Sequence, residues 1–114
     1  PMLGVCLGHQ AIAEVFGGSL TNLSTVFHGV ASKITITHDD PLFSGLPNRF
    51  DVGRYHSWVV NKPLPKGFIL LAEDENGQIM AFKHERHPIY GVQFHPESVL
   101  TPNGKQLLKN WVSL

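Results

Sequence analysis

The chain predicts an α/β fold on a mixed sheet, and three observations carry that reading. An apolar opening, Met2 to Val5, runs through Gly4-Val5-Cys6-Leu7-Gly8 into a helical pattern, which makes a strand-to-helix turn. Lys33-Ile34-Thr35-Ile36-Thr37 alternates with the two-residue period of a half-buried strand. Glu75-Asn76-Gly77 separates two apolar runs, and Asn-Gly at that place signals an antiparallel hairpin.

The elements follow in order. Met2 to Val5 is a buried strand. Gly8 to Phe16 is a helix, with Ile12, Val15 and Phe16 on one face and Gly17-Gly18 as its stop. Ser19 to Leu23 is a short extended piece, and Val30 to Thr37 is the alternating strand, with Ile34 and Ile36 on one side. Asp39-Asp40-Pro41 turns the chain, and Pro41 to Leu46 holds a helical turn. Asn48 to Tyr55 and Trp58 to Val60 are strands, the second ended by the loop of Pro63 and Pro65. Phe68 to Glu73 and Gln78 to His84 form the hairpin. Ile89 to Phe94 is a short buried strand that stops near His95, since Pro96 has no N–H for a ladder. Thr101 caps a last helix with Pro102 at its first position, running to about Val112.

Composition narrows the function classes. With 114 residues the chain can bury one small core. Nine basic residues balance nine acidic ones, so no polyanionic partner is implied, and no Walker or dinucleotide glycine pattern occurs. Nucleic acid and membrane surfaces are therefore not expected partners. One cysteine excludes an intrachain disulfide and fits a reducing, cytoplasmic setting. No apolar run approaches 18 residues and no basic stretch precedes a short apolar one, so neither a membrane span nor a signal peptide is supported.

The chemistry lies at two turns. Cys6 between Gly4 and Gly8 resembles a nucleophile elbow with a thiol in place of the hydroxyl. The helix that follows aims its free N–H groups at the sulfur, which predicts a thiol pKa shifted downward. His95 stands at a strand end, and Glu97 follows two residues later, near enough to orient the imidazole after a tight bend. A thiol, a histidine and a carboxylate are the parts of an activated nucleophile. His9 sits on the helix that begins at the thiol, so it should point away and pack structurally. His84 and His87 in Lys83-His84-Glu85-Arg86-His87 suggest a metal at first sight. No set of three or four ligands with zinc spacing accompanies them, so no metal site is expected. That stretch reads as a solvated hairpin end, and Trp58 and Trp111 read as core or interface aromatics.

Taken together, Leu3-Gly4-Val5-Cys6-Leu7-Gly8-His9-Gln10 and Gly91-Val92-Gln93-Phe94-His95-Pro96-Glu97-Ser98 resemble the signatures of the class I, triad-type glutamine amidotransferases. Arg54-Tyr55-His56-Ser57-Trp58-Val59-Val60 lies between them and is similar to the glutaminase subunits of anthranilate synthase and aminodeoxychorismate synthase. His28-Gly29 fits the same subgroup, and the resemblance runs from Pro1 to the last helix. It implies a flavodoxin-like open mixed sheet with an added antiparallel sheet. It implies Cys6, His95 and Glu97 as catalytic residues and Leu7 as an oxyanion N–H donor. Gln10 and the backbone of Ser57 and Trp58 would hold glutamine. The ammonia would pass to a chorismate-binding synthase subunit, in tryptophan or folate biosynthesis, which would dock around His28 and Arg54 to Trp58. His56 would line that surface or make a structural polar contact. Magnesium belongs to the synthase partner, and no cofactor is expected in this chain. Family members are longer, so the resemblance also implies the C-terminal part of a single amidotransferase domain. The first βα units and a Gly-Pro-Gly-type loop, which gives another oxyanion N–H, would precede it. Two other readings stay open: a γ-glutamyl hydrolase-like thiol hydrolase on the same fold, and an inactive interaction fragment.

Overall fold

A computed structural model describes residues 1–114. It opens with β1 (Met2–Val5) and α1 (Leu7–Val15), joined through Cys6 alone. Eight strands and two helices follow the chain in all: β2 (Leu20–Asn22), β3 (Val30–Ile36), β4 (Arg49–Arg54), β5 (Trp58–Val60), β6 (Phe68–Asp74), β7 (Ile79–His84), β8 (Ile89–Val92) and α2 (Gly104–Val112). A 3-10 turn, Pro41–Phe43, links β3 to β4, and the Asp40 side chain accepts from the Leu42 N–H at its start. Six strands form one sheet in the order β1-β8-β7-β6-β3-β4, and β2 pairs with β5 in a small second sheet. Only the β1–β8 pair is parallel. The mixed sheet and the added antiparallel pair match expectation.

Burial explains the arrangement. Ile34, Phe50, Val52, Leu71, Met80, Val92, Phe94 and Leu107 belong to one apolar cluster between the sheet and α2. Ile12 and Ala13 of α1 join Val60, Ile79 and Phe82 in a second cluster on the other side. Helix α1 lies close on β1 because Gly4 has no side chain: a Cβ there would stand 2.6 Å from the Gly8 carbonyl carbon. Gly8 itself faces open space, so the close approach depends on Gly4. Asp40 anchors the far side, taking the Tyr90 hydroxyl at 2.9 Å and an ion pair from Lys83. Trp111 meets Tyr90 edge-on.

Several boundaries differ from expectation. Helix α1 begins at Leu7 and ends at Val15, with Phe16 as its C-cap packed edge-on against Phe68. Strand β8 ends at Val92; beyond it the Gln93 N–H still donates to Met80 O of β7 at 2.8 Å, and His95 makes an isolated bridge with Gly53. Thr101 does not cap α2, which starts three residues later at Gly104 with Asn103 as N-cap. Its hydroxyl is taken elsewhere: it accepts from the Gly53 N–H at 2.8 Å and donates to the His95 carbonyl at 2.7 Å. Thr101 thus ties the end of β4 to the segment carrying His95. The hairpin matches, with Gly77 at φ 76° and the Asp74 carboxylate accepting the N–H groups of Asn76 and Gln78.

Candidate active site

Cys6 is the only non-glycine residue with positive φ, at φ 54° and ψ −102°. Such a conformation costs on the order of 1–3 kcal/mol and persists only where the surroundings enforce it. Here the enforcement is visible. The Cys6 N–H donates to the Val92 carbonyl at 2.9 Å, continuing the β1–β8 ladder, while its own carbonyl accepts from Gln10 N at 3.1 Å and starts α1. The residue therefore belongs to a strand and a helix at once, and the side chain is turned out at the carboxyl end of β1.

The sulfur opens into a cleft of about 830 Å³. Every residue singled out from the sequence for this site lines it: Cys6, Leu7, Gln10, Ser57, Trp58, His95 and Glu97. Val5, Tyr55, His56, Ser98 and Val99 complete the wall. His95 Nδ1 and Glu97 Oε2 are 2.8 Å apart, so the carboxylate fixes the ring and leaves the other nitrogen, Nε2, for proton transfer. Tyr55 sets its ring edge against His95 at 5.1 Å, and its hydroxyl bonds Ser98 Oγ at 2.9 Å. The sulfur's own contacts are the Tyr55 carbonyl at 4.0 Å and Gln93 Nε2 at 3.7 Å. Cys6 and His95 share the cleft without a hydrogen bond between them.

The thiol pKa is pushed up, contrary to the sequence expectation. Desolvation by burial is the largest cause, and the Glu97 charge adds to it. The Leu7 backbone N–H and the Gln93 amide oppose the rise. The helix N-terminus does act on the sulfur, but burial outweighs it.

Gln10 is buried, unlike an ordinary residue on a helix surface. Its Nε2 donates to the Trp58 carbonyl at 3.0 Å and to Gln93 Oε1 at 3.3 Å. The Trp58 carbonyl is also taken by His56 Nδ1 at 3.0 Å. The segment 55–58 is further held by the chain before β3: Leu23 N–H donates to Ser57 O, Phe27 N–H to His56 O, and Gly29 N–H to Arg54 O. His28 is thereby brought beside Arg54 to Trp58, exposed to solvent. The exposed Leu7, Trp58 and Val99 side chains put apolar surface at the mouth of the cleft.

His56 makes a structural polar contact. Its Nε2 accepts from Arg54 Nε at 3.0 Å, and its pKa is lowered to about 4 by burial, with the Arg54 charge contributing. Arg54 is buried too, paired with Asp74 at 2.9 Å, its guanidinium 3.6 Å from the centre of the Phe27 ring. His9 points away from the sulfur and stacks on Phe82 at 4.3 Å. His84 Nδ1 accepts the N–H groups of Arg86 and His87, which closes the exposed turn after β7. No group of three or more His, Cys, Asp or Glu side chains gathers in a metal-binding arrangement. No helix is long and apolar enough to cross a membrane.

A strained thiol at a strand-to-helix elbow thus shares one cleft with a hydrogen-bonded histidine–carboxylate pair, an arrangement that can serve thiol chemistry. The sequence matches the class-I glutamine amidotransferase family over residues 1–114. The chain belongs to that family, and its sheet is the flavodoxin-like sheet of those domains. It is 47% identical over 113 residues to aminodeoxychorismate synthase component 2 of Escherichia coli, covering 98% of this chain and 60% of that protein. It is 46% identical over 114 residues to the aminodeoxychorismate/anthranilate synthase component 2 of Bacillus subtilis, covering 98% of this chain and 58% of that protein. A solved structure of a putative GMP synthase protein from Thermoplasma acidophilum superposes with a TM-score of 0.90 at 34% identity, covering 99% of this chain and 56% of that one. The chain thus spans about three fifths of the two curated relatives' length.

Proposed function

We propose that this chain carries the thiol half-site of a glutaminase subunit that serves a chorismate-using synthase. The observation that supports it most is the single cleft shared by the strained Cys6 and the bonded His95–Glu97 pair. In this reading the Cys6 sulfur, its proton passed to His95, attacks the side-chain amide carbon of glutamine. The Leu7 N–H stabilises the tetrahedral oxyanion. His95 returns the proton to the leaving nitrogen as the C–N bond breaks, releasing ammonia and leaving a γ-glutamyl thioester. Water, deprotonated by His95, then attacks the thioester. Glutamate leaves and the thiol is restored. Glu97 holds the tautomer and stabilises the imidazolium. Gln10, Ser57 and Trp58 hold the body of glutamine.

The ammonia goes to a synthase subunit that binds chorismate, making anthranilate or aminodeoxychorismate. The relatives' names support both products. His28, Tyr55, Ser57, Trp58 and the apolar rim are the docking surface in this reading, while Arg54 and His56 are buried and support it from beneath. Magnesium acts in the synthase partner, and no cofactor enters the thiol chemistry. Cytoplasmic placement follows from the same reading.

The test is glutamate formation from glutamine by the full-length protein, with and without a chorismate-binding synthase, beside Cys6→Ser. Activity that rises with the synthase and vanishes in Cys6→Ser is expected. Activity indifferent to the synthase but lost in Cys6→Ser would point to a γ-glutamyl hydrolase-like enzyme. Activity that survives Cys6→Ser would end the mechanism.

A further inference from the structure

Gln93 has no place in the triad, yet it is fully buried and is the only side chain bonded to the Cys6 sulfur. It follows Val92, the last residue of β8, so the parallel pairing of Val5 with Val92 sets it beside Cys6. Its backbone N–H donates to the Met80 carbonyl at 2.8 Å, which fixes the side chain's starting point.

A carboxamide offers an oxygen at one end and an N–H pair at the other, and which end meets the sulfur decides its effect. Here the direction is set by the Trp58 carbonyl, whose other donor, His56, is itself held by Arg54. Arginine can only donate, so Arg54 Nε makes His56 Nε2 an acceptor at 3.0 Å and puts the ring proton on Nδ1. That proton goes to the Trp58 carbonyl at 3.0 Å. A carbonyl can only accept, so Gln10 must also turn its nitrogen toward Trp58, at 3.0 Å. The second Gln10 N–H then meets Gln93 Oε1 at 3.3 Å, and Gln93 is left with Nε2 toward Cys6 at 3.7 Å.

We propose that Gln93 is a positioning residue that holds an N–H donor on the Cys6 sulfur, its orientation fixed by the Trp58 carbonyl acting through the Gln10 amide. A donor in that place favours thiolate over thiol and counters the cost of burying the sulfur. Burial raises the thiol pKa and the Gln93 amide lowers it, in keeping with the geometry. The proposal rests on the reading of Cys6 as nucleophile, but its readout does not.

The experiment follows the pH dependence of iodoacetamide alkylation of Cys6, the only cysteine in the described chain, in the full-length protein, any other cysteines being replaced. Gln93→Met keeps the volume and removes the donor. The alkylation midpoint is expected to rise by about one pH unit, the size of effect a lost hydrogen bond to a charged group gives. Glutaminase kcat is expected to fall about tenfold at neutral pH and to recover in alkali. A polar residue that merely filled space would leave the midpoint in place, and an unmoved midpoint overturns the proposal. The unaltered protein offers a second arm that needs no variant. The Gln93 side-chain amide proton resonances should shift with the same midpoint as alkylation. Resonances that do not move through the thiol titration overturn the proposal as well. Cys6→Ser that keeps its activity would remove the nucleophile reading while leaving both titration readouts interpretable.

Discussion

His9 and His56 are both buried imidazoles held neutral, yet their surroundings treat them in opposite ways. His9, on the buried face of α1, makes no hydrogen bond with either ring nitrogen and lies flat on Phe82. Burial pulls its pKa down to about 3, and the Gly91 backbone beside it opposes this only in part. His56, under the segment 55–58, spends both nitrogens, one on Arg54 and one on the Trp58 carbonyl, and its pKa falls to about 4. The first ring acts as shaped apolar filler. The second is a joint in a polar network that ends at the Cys6 sulfur. Burial and a depressed pKa alone do not separate the two; their hydrogen-bond partners do.

The network can be broken at its root. Arg54→Ala would leave Asp74 buried without its cation, a loss of about 3–5 kcal/mol in unfolding stability by urea denaturation. Arg54→Leu together with Asp74→Leu should recover only part of that loss: no charge is then stranded, but the Asn76 and Gln78 N–H groups lose their acceptor. Next in size is the acid response shared by both rings. Each is neutral when folded and titrates near 6.5 when unfolded, so the unfolded chain binds more protons below that pH. Their contribution is therefore complete above pH 6.5 and is lost as pH falls toward 4 and 3. Going from pH 6.5 to 5.5 should cost about 2 kcal/mol for the two together, read as a shift in urea midpoint. A flat profile over that range would mean that the rings are hydrated in solution.

The single-residue contrast is smaller and sharper. His56→Leu strands a guanidinium N–H and leaves Trp58 with one donor fewer, so it should cost about 1–3 kcal/mol in thermal or urea unfolding. His9→Leu strands nothing and nearly preserves volume, so its unfolding free energy at pH 7 should stay within about 1 kcal/mol of the parent. It should also remove close to half of the acid slope. If His9→Leu proved the more damaging of the two, the division between filler and joint would be wrong.

Much of this was legible in the residues. Period and turn chemistry located all eight strands and both helices, and the flanking glycines marked the elbow at Cys6. The order of strands was not legible, because pairing between β1 and β8 joins residues nearly ninety apart and leaves no local trace. The start of α2 misled for a definite reason: Thr101-Pro102 carries the local chemistry of a cap, but a tertiary demand at Gly53 and His95 took the hydroxyl. The direction of the thiol pKa misled likewise, since a helix N-terminus is visible in sequence and burial is not. Gln93 left one clue, a lone amide in the apolar run Tyr90-Gly91-Val92-Gln93-Phe94.

Helix α2 lies away from the sulfur, yet its first residue has almost no freedom to vary. Any side chain on Gly104 would begin 1.7 Å from the Pro96 carbonyl oxygen, inside the loop between His95 and Glu97. That neighbour is backbone, which cannot swing aside. In a saturation scan scored on glutaminase activity, Gly104 should thus fail with every substitution and sort with Cys6, His95 and Glu97 if these carry the proposed reaction. A reader of that scan would place a silent glycine in the reaction when its part is to leave room for the loop that carries His95.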